Sequence, residues 1–183
     1  MRLPALLTIC AVLSGAGCAT TDAPTLVPAV ANAASPVAGI VTAGRLDPSD
    51  IRLLRQANIR HVIDLTPDAE TPDFDEAGVV RQAGIGYSNL PLRGASDLTL
   101  ANVKLFDELI RTSPRPLLVH CASGNRVGAM AALRAAWVQG QSLDAAIATG
   151  KAWGLTGLED EVRQRLQARE PESTGSTRTS APR

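Results

Sequence analysis

Cys121 and Arg126 stand in the stretch LVHCASGNRVG, residues 118–128, with Ala122, Ser123, Gly124 and Asn125 between them. A cysteine thiolate is a strong nucleophile. A guanidinium presents a planar fork that fits two oxygens of a tetrahedral oxyanion. The small residue at Ser123 and the glycine at 124 let the chain curl so that several backbone N–H groups face one anion. Together these groups suit attack on a phosphoryl or sulfur centre, by nucleophilic catalysis with electrostatic stabilisation. His120 precedes the nucleophile, where a ring N–H can fix the loop backbone; it reads as a support and not as the base. This chemistry requires no metal and no cofactor, and neither is expected.

The loop must lie between a strand and a helix N-terminus. The unpaired donors and positive dipole end of that helix favour both a bound anion and an ionised thiol. The flanking residues fit. Residues 116–119 form a fully apolar strand, and a helix is expected over about 127–138, closing at Gly140. Upstream, a short apolar run at 37–42 and strands at 61–65 and 86–92 alternate with helices. Those helices start near Pro48, span 74–83, and run from Thr99 to about 110 with Thr99 as cap. Ser142 caps another through about 148, and residues 158–168 form the last. Strands alternating with helices predict an α/β fold, a small, largely parallel sheet flanked by helices. Ligands bind such sheets at the carboxyl ends of the strands. The Cys121 loop lies at one of those ends.

Residues 1–17, MRLPALLTICAVLSGAG, have a positive start, a short apolar run and small residues after it, the layout of a signal peptide. Ser14-Gly15-Ala16-Gly17-Cys18 resembles a bacterial lipobox, with Gly15 where the pattern prefers a larger aliphatic residue. Cleavage before Cys18 leads to lipidation there. The expected product is an exported, periplasmic lipoprotein that touches the membrane only through that anchor. Ala31-Asn32-Ala33 offers a competing cleavage site for a soluble product. Residues 18–36, rich in Pro, Ala and Thr, read as a linker, 37–168 as the domain, and 169–183 as a disordered tail. Of three cysteines only Cys121 then remains as a free thiol, so the domain is not a disulfide scaffold. Eighteen basic residues balance eighteen acidic ones, which argues against a nucleic-acid partner.

VHCASGNRVG, with GRLDPSD, NIRHVIDLTPDAE, GIGYSNLPL and GQSLDAAI, resembles a bacterial family related to dual-specificity protein tyrosine phosphatases. This is the phosphatase-like domain of beta-lactamase-hydrolase-like proteins, and the likeness runs from about Val37 to Leu166. It implies a cysteine-phosphatase, dual-specificity-like fold. It also implies hydrolysis of phosphate monoesters, on a phosphorylated protein or a small-molecule phosphate ester, through a phosphocysteine. Cysteine phosphatases usually place five residues between Cys and Arg and rhodaneses place four; this family's own loop is of the short His-Cys-x4-Arg kind. The resemblance makes Cys121 the nucleophile and Arg126 the phosphate ligand, with the amides of Ala122, Ser123, Gly124, Asn125 and Arg126 around the oxyanion.

Two positions depart from the family pattern. The residue after the arginine is commonly Ser or Thr, whose hydroxyl helps the thiolate leave; here it is Val127, which predicts slow breakdown of the phosphoenzyme. Relatives carry an Asp shortly after the strand matching SNLPL, and Arg93 stands there instead. Asp97, four residues on, is the candidate general acid, with a turn or helix cap as its alternative role. Asp64 is the spare candidate. Two other functions stay open. A rhodanese-like sulfurtransferase fits the loop length and VIDLTPDAE, but lacks the Gly-Gly-x-x-x-Trp ending; Trp153 follows Gly150-Lys151-Ala152 and is expected in the core. A non-catalytic anion- or partner-binding domain fits Val127 and the displaced acid.

Overall fold

The computed structural model describes residues 25–168. The apolar run before the cysteine becomes β5 (Leu117–His120), the middle of a five-stranded sheet. β2 (Ile40–Ala43) and β3 (His61–Asp64) flank it, both parallel to it. β4 (Gly86–Asn89) lies parallel beyond β3, and β1 (Ala34–Val37) lies antiparallel beyond β2. A parallel strand covered on both faces has no polar face to show, and all four residues of β2 and of β5 are buried. Their side chains alternate between two apolar layers. Leu117 and Val119 point into one and Leu118 into the other.

The first layer is roofed by α3 (Leu100–Thr112), α4 (Asn125–Trp137), α5 (Leu143–Ala152) and α6 (Glu159–Ala168). Trp153 packs there, 4% exposed and edge-on to Phe106. The second layer is roofed by α1 (Asp50–Gln56) and α2 (Glu76–Gln82). The Thr99 hydroxyl accepts the Asn102 N–H at 3.2 Å, so the cap expected for α3 forms. α4 and α5 approach closely because Gly128 has no side chain: a Cβ there would stand 2.7 Å from the Gly150 carbonyl oxygen of α5 and 2.0 Å from the Leu155 nitrogen in the turn after it.

The sheet is largely parallel and flanked by helices, as the sequence predicts. Four local readings change. Residues 25–36, expected within the linker, are ordered: Ala34–Val37 forms β1, Val30 is buried, and Gly44 donates to the Ala31 carbonyl at 2.7 Å. Pro36 hid this strand, since proline argues against a strand except at a sheet edge, which is where β1 lies. The strand expected over 86–92 ends at Asn89, just before Leu90 and Pro91. The helix expected from 127 begins at Asn125, after Gly124 has turned the chain at φ 90°. The helix expected from 74 begins at Glu76, where the Asp75 carboxylate accepts the Gly78 N–H at 2.9 Å. The signal peptide at 1–17, the lipidation at Cys18 and the tail at 169–183 lie outside the described residues.

Candidate active site

The carboxyl ends of the parallel strands converge on one side of the sheet. His120, the last residue of β5, pairs in register with Ala43 on one side and Asp64 on the other. Cys121 follows at the start of the loop, its side chain fully buried. The loop carbonyls turn outward: Arg45 N–H donates to Ala122 O at 3.1 Å, Asn32 Nδ2 to Ser123 O at 3.3 Å, and Gly128 N–H to Gly124 O at 2.9 Å. The Gly124 N–H points at the Cys121 Sγ, 3.2 Å away. Gly124 holds this turn at a positive φ that glycine adopts without strain. The first amides of α4 have no carbonyl upstream within the helix to bond. The Cys121 sulfur thus accepts the Gly124 N–H just ahead of the first turn of α4.

Arg126 is on the first turn of α4 and is 8% exposed. Its Nη1 donates to Glu70 Oε1 at 2.8 Å and to the Leu92 carbonyl, and its Nη2 to Glu70 Oε2 at 2.7 Å. A guanidinium carries five N–H donors. Three are committed to the protein. The two that remain, on Nε and on Nη2, lie on one edge, the edge suited to two oxygens of one anion. That guanidinium also lies within electrostatic reach of Cys121. The Arg126 hydrogen bond, ahead of its charge, holds the Glu70 carboxyl below the ordinary glutamate range, against the opposing effect of burial.

Glu70 was not among the residues expected at the site. It lies in a short 3-10 turn, Asp68–Glu70, after β3. The signal available was compositional: six acidic residues and no basic one lie between 64 and 76. A second polar group sits beneath the loop. His120 Nε2 lies 2.7 Å from Glu76 Oε1 and 3.4 Å from Asp64 Oδ1, and all three residues are buried. These three groups are close enough to share a metal ion. Two features oppose it. At 2.7 Å the imidazole and carboxylate are already hydrogen-bonded, closer than two ligands of one ion at about 2.0–2.2 Å each in a tetrahedral site. A metal on Nε2 would also move the ring proton to Nδ1, which has no partner among the described residues.

The other expected residues are placed as follows. Asp97 ends a 3-10 turn, Ala95–Asp97, and its Oδ2 accepts the Arg93 N–H at 2.7 Å. Arg126 holds Leu92, the residue before Arg93, so the Asp97 loop is tied close to the guanidinium. Arg165 on α6 donates to the Ala95 and Leu98 carbonyls and fixes the loop from its other side. Asp97 has no hydrogen bond or ion pair to Cys121 or Arg126 among the described residues. The Asn125 side chain faces away from the curl, its Oδ1 accepting the Thr156 N–H at 2.9 Å. Ser123 is exposed. Asp64 satisfies its neighbours, accepting from Thr66 N–H, Tyr87 O–H and Asn89. Burial, then the Asp64 charge, push the Tyr87 phenol well up. Val127 is fully buried in the apolar layer with α3 to α6.

A family model described as "Polymorphic toxin system, DSP-PTPase phosphatase" matches residues 38–141, more than half of the chain. The chain belongs to that phosphatase family. A beta-lactamase hydrolase-like protein of Xylella fastidiosa is 38% identical over 71 residues, which are 37% of this chain and 16% of that protein. The chain therefore matches only a small part of its curated relative. Among solved structures, a candidate phosphatase from Neisseria meningitidis aligns with a TM-score of 0.63 at 26% identity, over 74% of this chain and 96% of that one. TpbA of P. aeruginosa, solved in complex with pTyr, aligns with a TM-score of 0.51 at 19% identity, over 74% of this chain and 82% of that one. The fold is that of the cysteine phosphatases.

Proposed function

We propose that the protein is a cysteine-dependent phosphatase that hydrolyses phosphate monoesters through a phosphocysteine at Cys121. The carrying observation is Arg126: it lies within electrostatic reach of Cys121, and its two donors not taken by Glu70 or Leu92 lie on one edge of the guanidinium. A phosphate monoester would seat two oxygens on that edge and its others on the loop amides. The Cys121 thiolate would attack phosphorus, forming the S–P bond as the P–O bond to the leaving group breaks. The leaving oxygen would take a proton from Asp97 or, for an aryl group, need none. Water would then attack phosphorus, the S–P bond would break, and inorganic phosphate would leave with the thiolate restored. The substrate is a phosphorylated protein or a small phosphate ester. The leader sequence supports an exported lipoprotein anchored at Cys18.

The test compares para-nitrophenyl phosphate with thiosulfate plus cyanide as substrates. Metal-independent phosphate release that Cys121→Ser abolishes is the expected result. Thiocyanate formed without phosphate release would assign the loop to sulfur transfer. Phosphate bound with neither reaction would make the domain a binder.

A further inference from the structure

Glu76 is the first residue of α2, on the far side of the sheet from α4, yet it is only 5% exposed. Burying a carboxylate costs several kcal/mol by order of magnitude unless a partner compensates. Its partner is His120 Nε2 at 2.7 Å, a buried, charge-assisted hydrogen bond. Asp64 lies 3.4 Å from the same nitrogen but is already supplied: Oδ1 accepts Thr66 N–H at 2.7 Å and Oδ2 accepts Tyr87 O–H at 2.8 Å. Two acceptors face Nε2, and Nδ1 has no hydrogen-bond partner among the described residues. The ring proton therefore belongs on Nε2, donated to Glu76. His120 is the residue before the nucleophile, so whatever fixes its ring fixes the backbone from which Cys121 projects.

We propose that Glu76 is a positioning residue of the phosphatase reaction, acting through His120 to aim Cys121 into the cradle. This rests on the phosphatase reading above. Glu76 makes no hydrogen bond or ion pair to Cys121 or Arg126 among the described residues, so its loss should disturb the alignment of the sulfur and leave phosphate recognition by Arg126 in place. Glu76→Gln retains an amide oxygen that can accept the Nε2 proton; Glu76→Ala retains nothing.

The full chain would be assayed on para-nitrophenyl phosphate, with melting temperature and inorganic-phosphate inhibition measured on every variant. Glu76→Ala should lower kcat about 10-fold while KM and the inhibition constant for phosphate change less than about 2-fold, and Glu76→Gln should recover most of kcat. In a His120→Ala background, Glu76→Ala should have no further effect on kcat, because the pathway it acts through is gone. Histidine-selective nitrogen NMR should show the Nε2-protonated tautomer of His120, with its exchange-protected proton lost in Glu76→Ala. Equal kcat in wild type and Glu76→Ala, or additive losses in the double variant, would overturn the proposal alone. A His120 proton found on Nδ1 would also overturn it. Wild-type protein that hydrolyses no phosphate ester would overturn the phosphatase reading itself, whatever the tautomer.

Discussion

A valine offers packing area and no hydrogen bond, and Val127 gives its whole surface to the apolar layer under α4. In the proposed reaction nothing at this position assists the departing thiolate. Val127→Thr keeps the branched shape while adding a hydroxyl, at a stability cost of about 1–2 kcal/mol for burying it. Rapid-mixing kinetics with para-nitrophenyl phosphate should show a burst in the wild type that shrinks in Val127→Thr as the slow second step speeds up. Glu70 supplies a second test. Its carboxyl is held low in the folded state, so the stability it adds is present above the unfolded glutamate value, about 4.3, and lost as pH falls through the folded value. Urea denaturation should find Glu70→Gln less stable than wild type by about 1 kcal/mol above pH ~5, with the difference vanishing in stronger acid. Cys121 and Arg126 were legible because both lie on one turn of chain. Glu70 and Glu76 were not: their partners are 56 and 44 residues away, and sequence shows charge without showing which charge it meets.

At the scale of elements, the loop is aimed by what stands behind it. α4 carries Arg126 and lies against α5 and the turn after it through Gly128, where a methyl group would overlap the Leu155 nitrogen. Gly128→Ala should destabilise the fold by about 3 kcal/mol or more, read by thermal or urea unfolding, and lower activity by tilting the first turn of α4. The strands and most helices were readable, because two-sided burial gives β5 an unbroken apolar run and Thr99 and Ser142 mark helix starts. What escaped was short or at an edge. β1 has four residues and a proline, too few to show a period and enough to suggest a linker. The 3-10 turn bearing Glu70 has no pattern of its own and is defined by the contact it makes.

For the molecule as a whole, the contacts of residues 25–33 matter most to where the site can work. Asn32 donates to the Ser123 carbonyl and Ala31 accepts from Gly44, so the start of the described chain is fastened to the active-site end of the sheet. Cleavage after Ala33 would remove both bonds and the buried Val30, whereas the proposed processing at Cys18 would keep them. Seven residues take the chain from Cys18 to Thr25, a reach of about 25 Å even when fully extended. With lipid on Cys18, phosphate release from esters displayed on vesicles should exceed that of Cys18→Ala at equal protein concentration, while release from a soluble aryl phosphate should be the same for both. Equal rates on vesicles would exclude the tether as a determinant of substrate choice. So short a leash would turn a search through the volume of the periplasm into a search along the face of one bilayer, where an ester's distance from the lipid decides whether it is met at all.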